Sequence, residues 1–425
     1  MHEPDLFDPY AGNVLITGLG PLLSREQRVA KLIELPPYPK GLENAPRHIR
    51  IHYLMRLFDF YAPLLQGERL AESIDLMIRR GYQQRDPADP STFGIISGET
   101  RLQKRGSPPA AALTVRGPSG AGKTQAISRC FSLYPAQVIE HAVLPPFRSP
   151  HSQVVWMSVN VPPSGRAEDL ARTLMLEWQR LTNTNRFDHW ISKEKIQHPL
   201  RALDEWRQVA ASHFLGVLHL DEVQNFFKLL TLAQRRNRKN EAGEVELSIV
   251  EDQLLKWLLT SLNEWRIPFI LSGTPDGMGA LGKRMSTLQR LTSFGSHPFH
   301  IFETVEDPAY RRTFLARLGK YQYTKHKIAV DNVLEQRVLD LSGGIPRIII
   351  ALWIAANRIS LERAEDTLRL KDFDEAAETY LLPLKPAVAV LRSKDPRRFS
   401  EYEDLMSRDP SFWDELWGNI SASSS

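Results

Sequence analysis

Cysteine is almost missing from this chain of 425 residues, with Cys130 the only one. One thiol closes no disulfide within the chain, and cysteine-based zinc sites are excluded. Such usage fits a reducing compartment, and a cytoplasmic location is the expectation. Long apolar runs are also missing. The longest covers residues 348–356, starts directly after Arg347 and is too short for a bilayer, so no membrane is expected as partner. The first residues, Met1-His2-Glu3-Pro4-Asp5, are acidic and lack the apolar stretch of a secretory signal. No repeat of fixed period is visible. Neither sign of charge dominates: 54 Lys and Arg against 50 Asp and Glu leave +4, which permits an acidic partner without arguing for one. His48 and His52 share a helix face, yet no third ligand stands near them, so a metal site there is not expected.

What is present has the balance of a globular protein, 42% hydrophobic and 24% charged, in a chain long enough for two or three domains. Residues 1–105 hold Pro-rich loops and helical patterns at 47–65 and 68–80, and read as an N-terminal helical extension. Residues 106–305 alternate short apolar strand candidates (111–115, 137–141, 153–159, 216–220 and 268–272) with helix-like stretches at 167–181, 200–211 and 249–265. Such alternation predicts an α/β domain with a parallel sheet covered on both faces. Residues 306–382 show only helical patterns (308–319, 331–341, 346–364 and 370–380) and predict a small all-helical lid domain. Residues 383–425, with Pro386, Pro396 and Pro410 among aromatics, read as a flexible tail that tethers or docks.

The octapeptide Gly117-Pro118-Ser119-Gly120-Ala121-Gly122-Lys123-Thr124 lies between the first strand candidate and a helical pattern. That is the context of a phosphate-binding P-loop. The glycines allow backbone conformations closed to residues with a Cβ, so successive N–H groups converge on phosphate oxygens. The helix start adds its positive dipole end. Lys123 reaches the β- and γ-phosphates, and the Thr124 hydroxyl is a magnesium ligand. The chain is expected to bind a nucleoside triphosphate.

Some 95 residues on, the apolar run 216–220 ends in Asp221-Glu222. Carboxylates at the C-terminal edge of a parallel sheet stand where such sheets bind ligands. Asp221 is assigned to the magnesium shell, and Glu222 to polarising the attacking water. His219 interrupts the run and reads as a satisfied core histidine. The strand 268–272 leads into Ser272-Gly273-Thr274, where a hydroxyl either senses the γ-phosphate or simply ends the strand before a turn. In Ser342-Gly343-Gly344-Ile345-Pro346-Arg347 a proline suits a first helical turn, and Arg347 projects from that turn toward the nucleotide.

The order of these features resembles the AAA+ ATPases. The resemblance implies rings or filaments of this chain, with ATP and Mg2+ bound between neighbours and an arginine finger supplied by the adjacent copy. Arg290 is the candidate finger, with Arg284 second. A closer resemblance joins Tyr134–Pro163 (YPAQVIEHAVLPPFRSPHSQVVWMSVNVPP) to the TnsC/TniB transposition regulators. Ser272-Gly273-Thr274-Pro275 is similar to that family's segment after the third strand. Ile78-Arg79-Arg80-Gly81-Tyr82-Gln83-Gln84-Arg85-Asp86-Pro87 looks like the "R.GY..R.P" segment of the TnsC branch. The resemblance implies an ATP-dependent regulator of DNA transposition that assembles on double-stranded target DNA. A target selector of the TniQ/TnsD type would recruit it; it would recruit the transposase TnsB with TnsA, and ATP hydrolysis would disassemble it.

Lys193, Lys195 and Arg201, with the cluster Arg235, Arg236, Arg238 and Lys239, are candidates for sequence-independent phosphate contacts, or else a solvated surface. Two other readings stay open: a replication initiator or helicase loader, which would carry a winged-helix module, and a STAND-type signalling switch, which would carry long repeats.

Overall fold

The computed structural model describes residues 7–97, 108–144, 149–226, 249–275, 277 and 289–393. They fall into two units. The first gathers the segments Met1–Ser24, Arg69–Arg116 and Ile127–Pro298, the second Arg25–Glu68, Gly117–Ala126 and Phe299–Ser425.

The first unit is built on seven strands: β1 (Ala112–Arg116), β2 (Val138–His141), β3 (His151–Val154), β4 (Trp156–Asn160), β5 (Val217–Asp221), β6 (Phe269–Gly273) and β7 (Ser296–Pro298). Five form one sheet in the order β4-β5-β6-β1-β7, parallel at every pairing. β5 and β6 are buried at every residue, as parallel strands covered on both faces must be. The helix Ala167–Thr182 buries Leu170, Leu174 and Trp178, one turn apart, and Pro199–Ser212 buries Leu203, Trp206 and Ala210. Trp178 and Trp206 meet edge to face at 6.2 Å.

The strand read at 153–159 is two strands. Val154 and Val155 are both fully buried, so the inside–outside alternation breaks there. β3 pairs antiparallel with β2, β4 enters the parallel sheet, and the Val155 N–H donates to Gln137 O. The 137–141 candidate therefore belongs to a two-stranded ribbon outside the main sheet. β7, a Ser-His-Pro edge, carries no β-branched residue and was not legible as a strand.

The second unit packs around the helix Pro346–Leu361, buried along nearly its whole length. Against it lie Asn332–Ser342, Leu370–Glu378 and the N-terminal helix Arg47–Met55. Arg50 donates to Asp366 at 2.8 Å and to Tyr323 O at 2.9 Å, while Tyr321 O–H donates to Pro36 O at 2.8 Å. The helix Lys385–Arg392 adds Ala387, Val388, Val390 and Leu391 to the same apolar cluster, so packed chain continues past the expected start of the tail. Residues from 394 onward lie outside the described residues.

Candidate nucleotide-binding site

In the second unit, the octapeptide's glycines are required for stated reasons. Gly120 and Gly122 have φ of +80° and +90°. A Cβ on Gly117 would lie 2.5 Å from Phe299 O, and one on Gly120 would lie 2.8 Å from Ile345 Cγ2. Around Gly122 there is open space. Lys123 is buried and its ammonium donates to Gly117 O at 2.7 Å and Pro118 O at 3.0 Å, spanning the loop it belongs to. Thr124 is exposed on the first turn of Lys123–Phe131. Pro118 O also accepts the Ala121 N–H, and Ser119 sits half-buried between them.

The loop that ends Asn332–Ser342 meets the octapeptide from the same unit. Gly343 caps that helix at φ +61°, Gly344 follows at +74°, and Pro346 opens the next helix. The Arg347 N–H donates to Gly120 O at 3.3 Å, so the exposed Arg347 side chain starts beside the phosphate loop.

In the first unit, Asp221 and Ser272 sit at the C-terminal ends of neighbouring strands β5 and β6. Ser272 O–H donates to Asp221 Oδ1, which also accepts the Glu222 N–H at 2.9 Å. With its proton committed to the carboxylate, Ser272 Oγ accepts from His219 Nε2 at 2.7 Å, and Ser158 O–H donates to His219 Nδ1 at 2.8 Å. Burial pulls the His219 imidazole down to about 4, against the opposing pull of the Asp221 charge, so it stays neutral at pH 7. The histidine is satisfied in the core, and its two serine partners fix which nitrogen carries the proton.

Glu222 takes a left-handed conformation, φ +57°, which turns its side chain out of line with the strand it follows. Its carboxylate accepts from Gln224 Nε2, and Gln224 Oε1 accepts the Thr274 N–H at 3.2 Å. Thr274 Oγ1 is buried without a hydrogen-bond partner among the described residues. The two hydroxyls at this strand end thus differ: that of Ser272 is spent on Asp221, that of Thr274 is available to a ligand. Sequence reasoning missed Gln224 and Ser158, because neither belongs to a spacing that carries chemistry by itself.

These donors suit the groups the octapeptide implies. The glycines leave backbone N–H groups approachable by phosphate, and a carboxylate with a threonine hydroxyl supplies the hard oxygens magnesium takes alongside phosphate and water. Among the described residues no cluster of three His, Cys, Asp or Glu offers a site for another metal.

The remaining candidates are scattered. Arg290 is exposed at the start of the segment resuming at residue 289. Lys193, Lys195 and Arg201 are exposed, with the Lys193 ammonium 4.6 Å above the Trp190 ring. Arg235, Arg236, Arg238, Lys239 and Arg284 lie outside the described residues.

A parallel five-stranded sheet with flanking helices, and a P-loop sequence following β1, make up an α/β P-loop fold. Residues 109–279 match the family model of the AAA domain. That stretch is similar to an AAA-type P-loop ATPase domain, and ATP hydrolysis is the activity such a match supports. Among solved structures it is similar to a Walker-type ATPase of Pyrococcus abyssi, at 13% identity over 73% of this chain and 84% of that one, TM-score 0.37. It is similar to Drosophila ORC bound to DNA, at 12% identity over 97% and 90%, TM-score 0.41. A variant of Thermotoga maritima RuvB is similar at 14% identity over 74% and 84%, TM-score 0.34. No curated protein matches the chain. Among the described residues no single helix is long and apolar enough to cross a membrane.

Proposed function

We propose that this ATPase is a TnsC-type regulator of DNA transposition: it assembles with ATP on double-stranded DNA, couples a TniQ/TnsD-type selector to the TnsB–TnsA transposase, and leaves on hydrolysis. One observation carries the reading. The two stretches that resemble the family are interlocked. Ile139 pairs with Gln153 across β2 and β3, His141 pairs with His151, and the Oε1 of the buried Gln153 accepts from His141 Nε2 at 2.8 Å. Tyr82, from the upstream segment, is fully buried with its hydroxyl directed to Val154 O. Arg85 is fully buried too, and donates to Gly81 O at 3.2 Å and Leu215 O at 2.9 Å. Burial lowers its guanidinium to about 10, which leaves it charged at pH 7. These residues would serve a shared architecture, since none of them is placed to touch a nucleotide by its chemistry.

The roles follow. Lys123 and the loop N–H groups would hold the phosphates; Thr124 and Asp221 are the candidate magnesium ligands, each on its own unit, and the ion would neutralise phosphate charge. Glu222 polarises a water whose oxygen bonds to the γ-phosphorus as the bond to the ADP oxygen breaks, the water's proton passing toward the carboxylate. Thr274 would offer its hydroxyl to the γ-phosphate, Arg347 is the arginine candidate on the helical unit, and Arg290 of an adjacent copy would serve as finger. Lys193, Lys195 and Arg201 contribute to the DNA-facing charge, together with the cluster at Arg235, Arg236, Arg238 and Lys239.

Imaging of the purified protein on plain duplex DNA with a non-hydrolysable ATP analogue tests this. Rings or filaments should form with nucleotide, vanish in Lys123→Ala, and persist with ATP in Glu222→Gln. Monomers indifferent to DNA and nucleotide would overturn the proposal.

A further inference from the structure

The Gln224 side chain occupies a slot shaped for it. A Cβ on Gly273 would lie 2.6 Å from Gln224 Oε1, and a Cβ on Gly277 would lie 2.5 Å from Gln224 Cβ. Two glycines therefore make room for one buried side chain, one ending β6 and the other at position 277 beyond it. Within that slot both ends of the carboxamide are used. The NH2 group donates to Glu222 Oε2, and the oxygen accepts the Thr274 N–H. Beside that N–H, the Thr274 hydroxyl is buried, 5% exposed, and has no partner among the described residues. A buried hydroxyl left unsatisfied is costly unless a ligand or water meets it.

We infer that Gln224 is a positioning residue for ATP hydrolysis: its carboxamide fixes the Glu222 carboxylate to the end of β6, next to the Thr274 hydroxyl that meets the γ-phosphate or its attacking water. The inference rests on the reading of Glu222 as the group that polarises water. The physical case has three parts. Glu222 stands on a left-handed residue directly after the strand, and its carboxylate accepts from the Gln224 carboxamide. The same amide senses the backbone of Thr274, so a shift of that segment on engaging phosphate is passed to the carboxylate through a single rigid plane. A glutamate at position 224 would present oxygen to oxygen and repel Glu222, although it has the same length and shape.

The test compares Gln224→Ala, Gln224→Glu, Glu222→Gln and the double variant Gln224→Ala/Glu222→Gln in the full chain. Steady-state ATPase kinetics and the affinity for a fluorescent ATP analogue are measured for each. Both Gln224 variants should lose kcat by about 10- to 100-fold, the scale of a misplaced catalytic group, with KM and analogue affinity within about threefold of wild type. The double variant should be no slower than Glu222→Gln alone. Gln224→Glu, which fills the slot, decides the matter if Gln224→Ala melts early. Wild-type kcat in the Gln224 variants beside an inactive Glu222→Gln overturns the inference alone. So does a loss of kcat matched by lost nucleotide affinity, or one that adds to that of Glu222→Gln. Wild-type turnover in Glu222→Gln instead overturns the reading of Glu222.

Discussion

At the scale of the residue, the histidine inside β5 sits in the core with both ring nitrogens engaged, as its place in an apolar strand implies. His219 is buried between Ser158 and Ser272 and neutral, its pKa drawn from 6.5 to about 4 chiefly by desolvation. The unfolded chain takes up the proton near pH 6.5, the folded chain only near 4. Stability contributed by this site is therefore intact above pH 6.5, falls as pH drops through the window from 6.5 to about 4, and is level below it. A shift of that size corresponds to ~3 kcal/mol. His151 and His213, stacked at 5.0 Å and likewise lowered by burial, act in the same direction. Melting temperature should thus decline from pH 7 to pH 4, and His219→Gln should flatten part of that decline. An unchanged slope in the variant would show that the neutral histidine is not what acid attacks. At this scale the octapeptide was readable because its donors follow one another along a few residues of one loop. Gln224 was not, because its importance lies in which groups flank it after folding.

At the scale of the element, glycine positions separate into those that need only backbone freedom and those that need space. Gly41 and Gly344 have nearly equal φ, +77° and +74°. A Cβ on Gly41 meets nothing within 4 Å, whereas one on Gly344 would fall 1.8 Å from Phe302 O, whose own N–H donates to Gly344 O at 3.0 Å. Gly41→Ala should cost about 1–3 kcal/mol, the strain of a left-handed alanine. Gly344→Ala should cost ~4 kcal/mol or more, because the backbone must move as well. Differential scanning of the two variants checks the ranking, and comparable melting temperatures would refute it. The same scale explains which elements the sequence foretold. Pro346 and the paired glycines punctuate two helices that appear within a few residues of expectation. The β2–β3 ribbon was hidden because 153–159 reads as one apolar run. Only the adjacent burial of Val154 and Val155 reveals that two different pairings use it.

At the scale of the whole molecule, the order of segments along the chain is not the order of its packed units. A reader of the motifs divides the chain at residues 105, 305 and 382. The chain instead crosses between units at 24/25, 68/69, 116/117, 126/127 and 298/299. The ten residues Gly117–Ala126, which carry the phosphate loop, pack with the C-terminal helices, while β1 before them and Ile127 after them belong to the first unit. Phe60 packs edge to face on Phe314 at 5.6 Å, and Tyr38 on Tyr321 at 5.8 Å, so the N-terminal segment depends on the same helices. A fragment of residues 1–298 holds every residue of the octapeptide and of Asp221-Glu222. It nevertheless leaves Leu54, Leu57 and Phe60 without the apolar cluster that buries them, and Gly117 and Gly120 without Phe299 and Ile345. Exposed apolar surface of that extent drives association. The fragment should aggregate or bind a hydrophobic dye strongly, melt without a cooperative transition, and fail to bind nucleotide. A soluble fragment with the full chain's nucleotide affinity would show that the sheet alone holds the phosphate loop in shape. The packing says that the phosphate loop is held in its unit together with an N-terminal segment and the C-terminal helices.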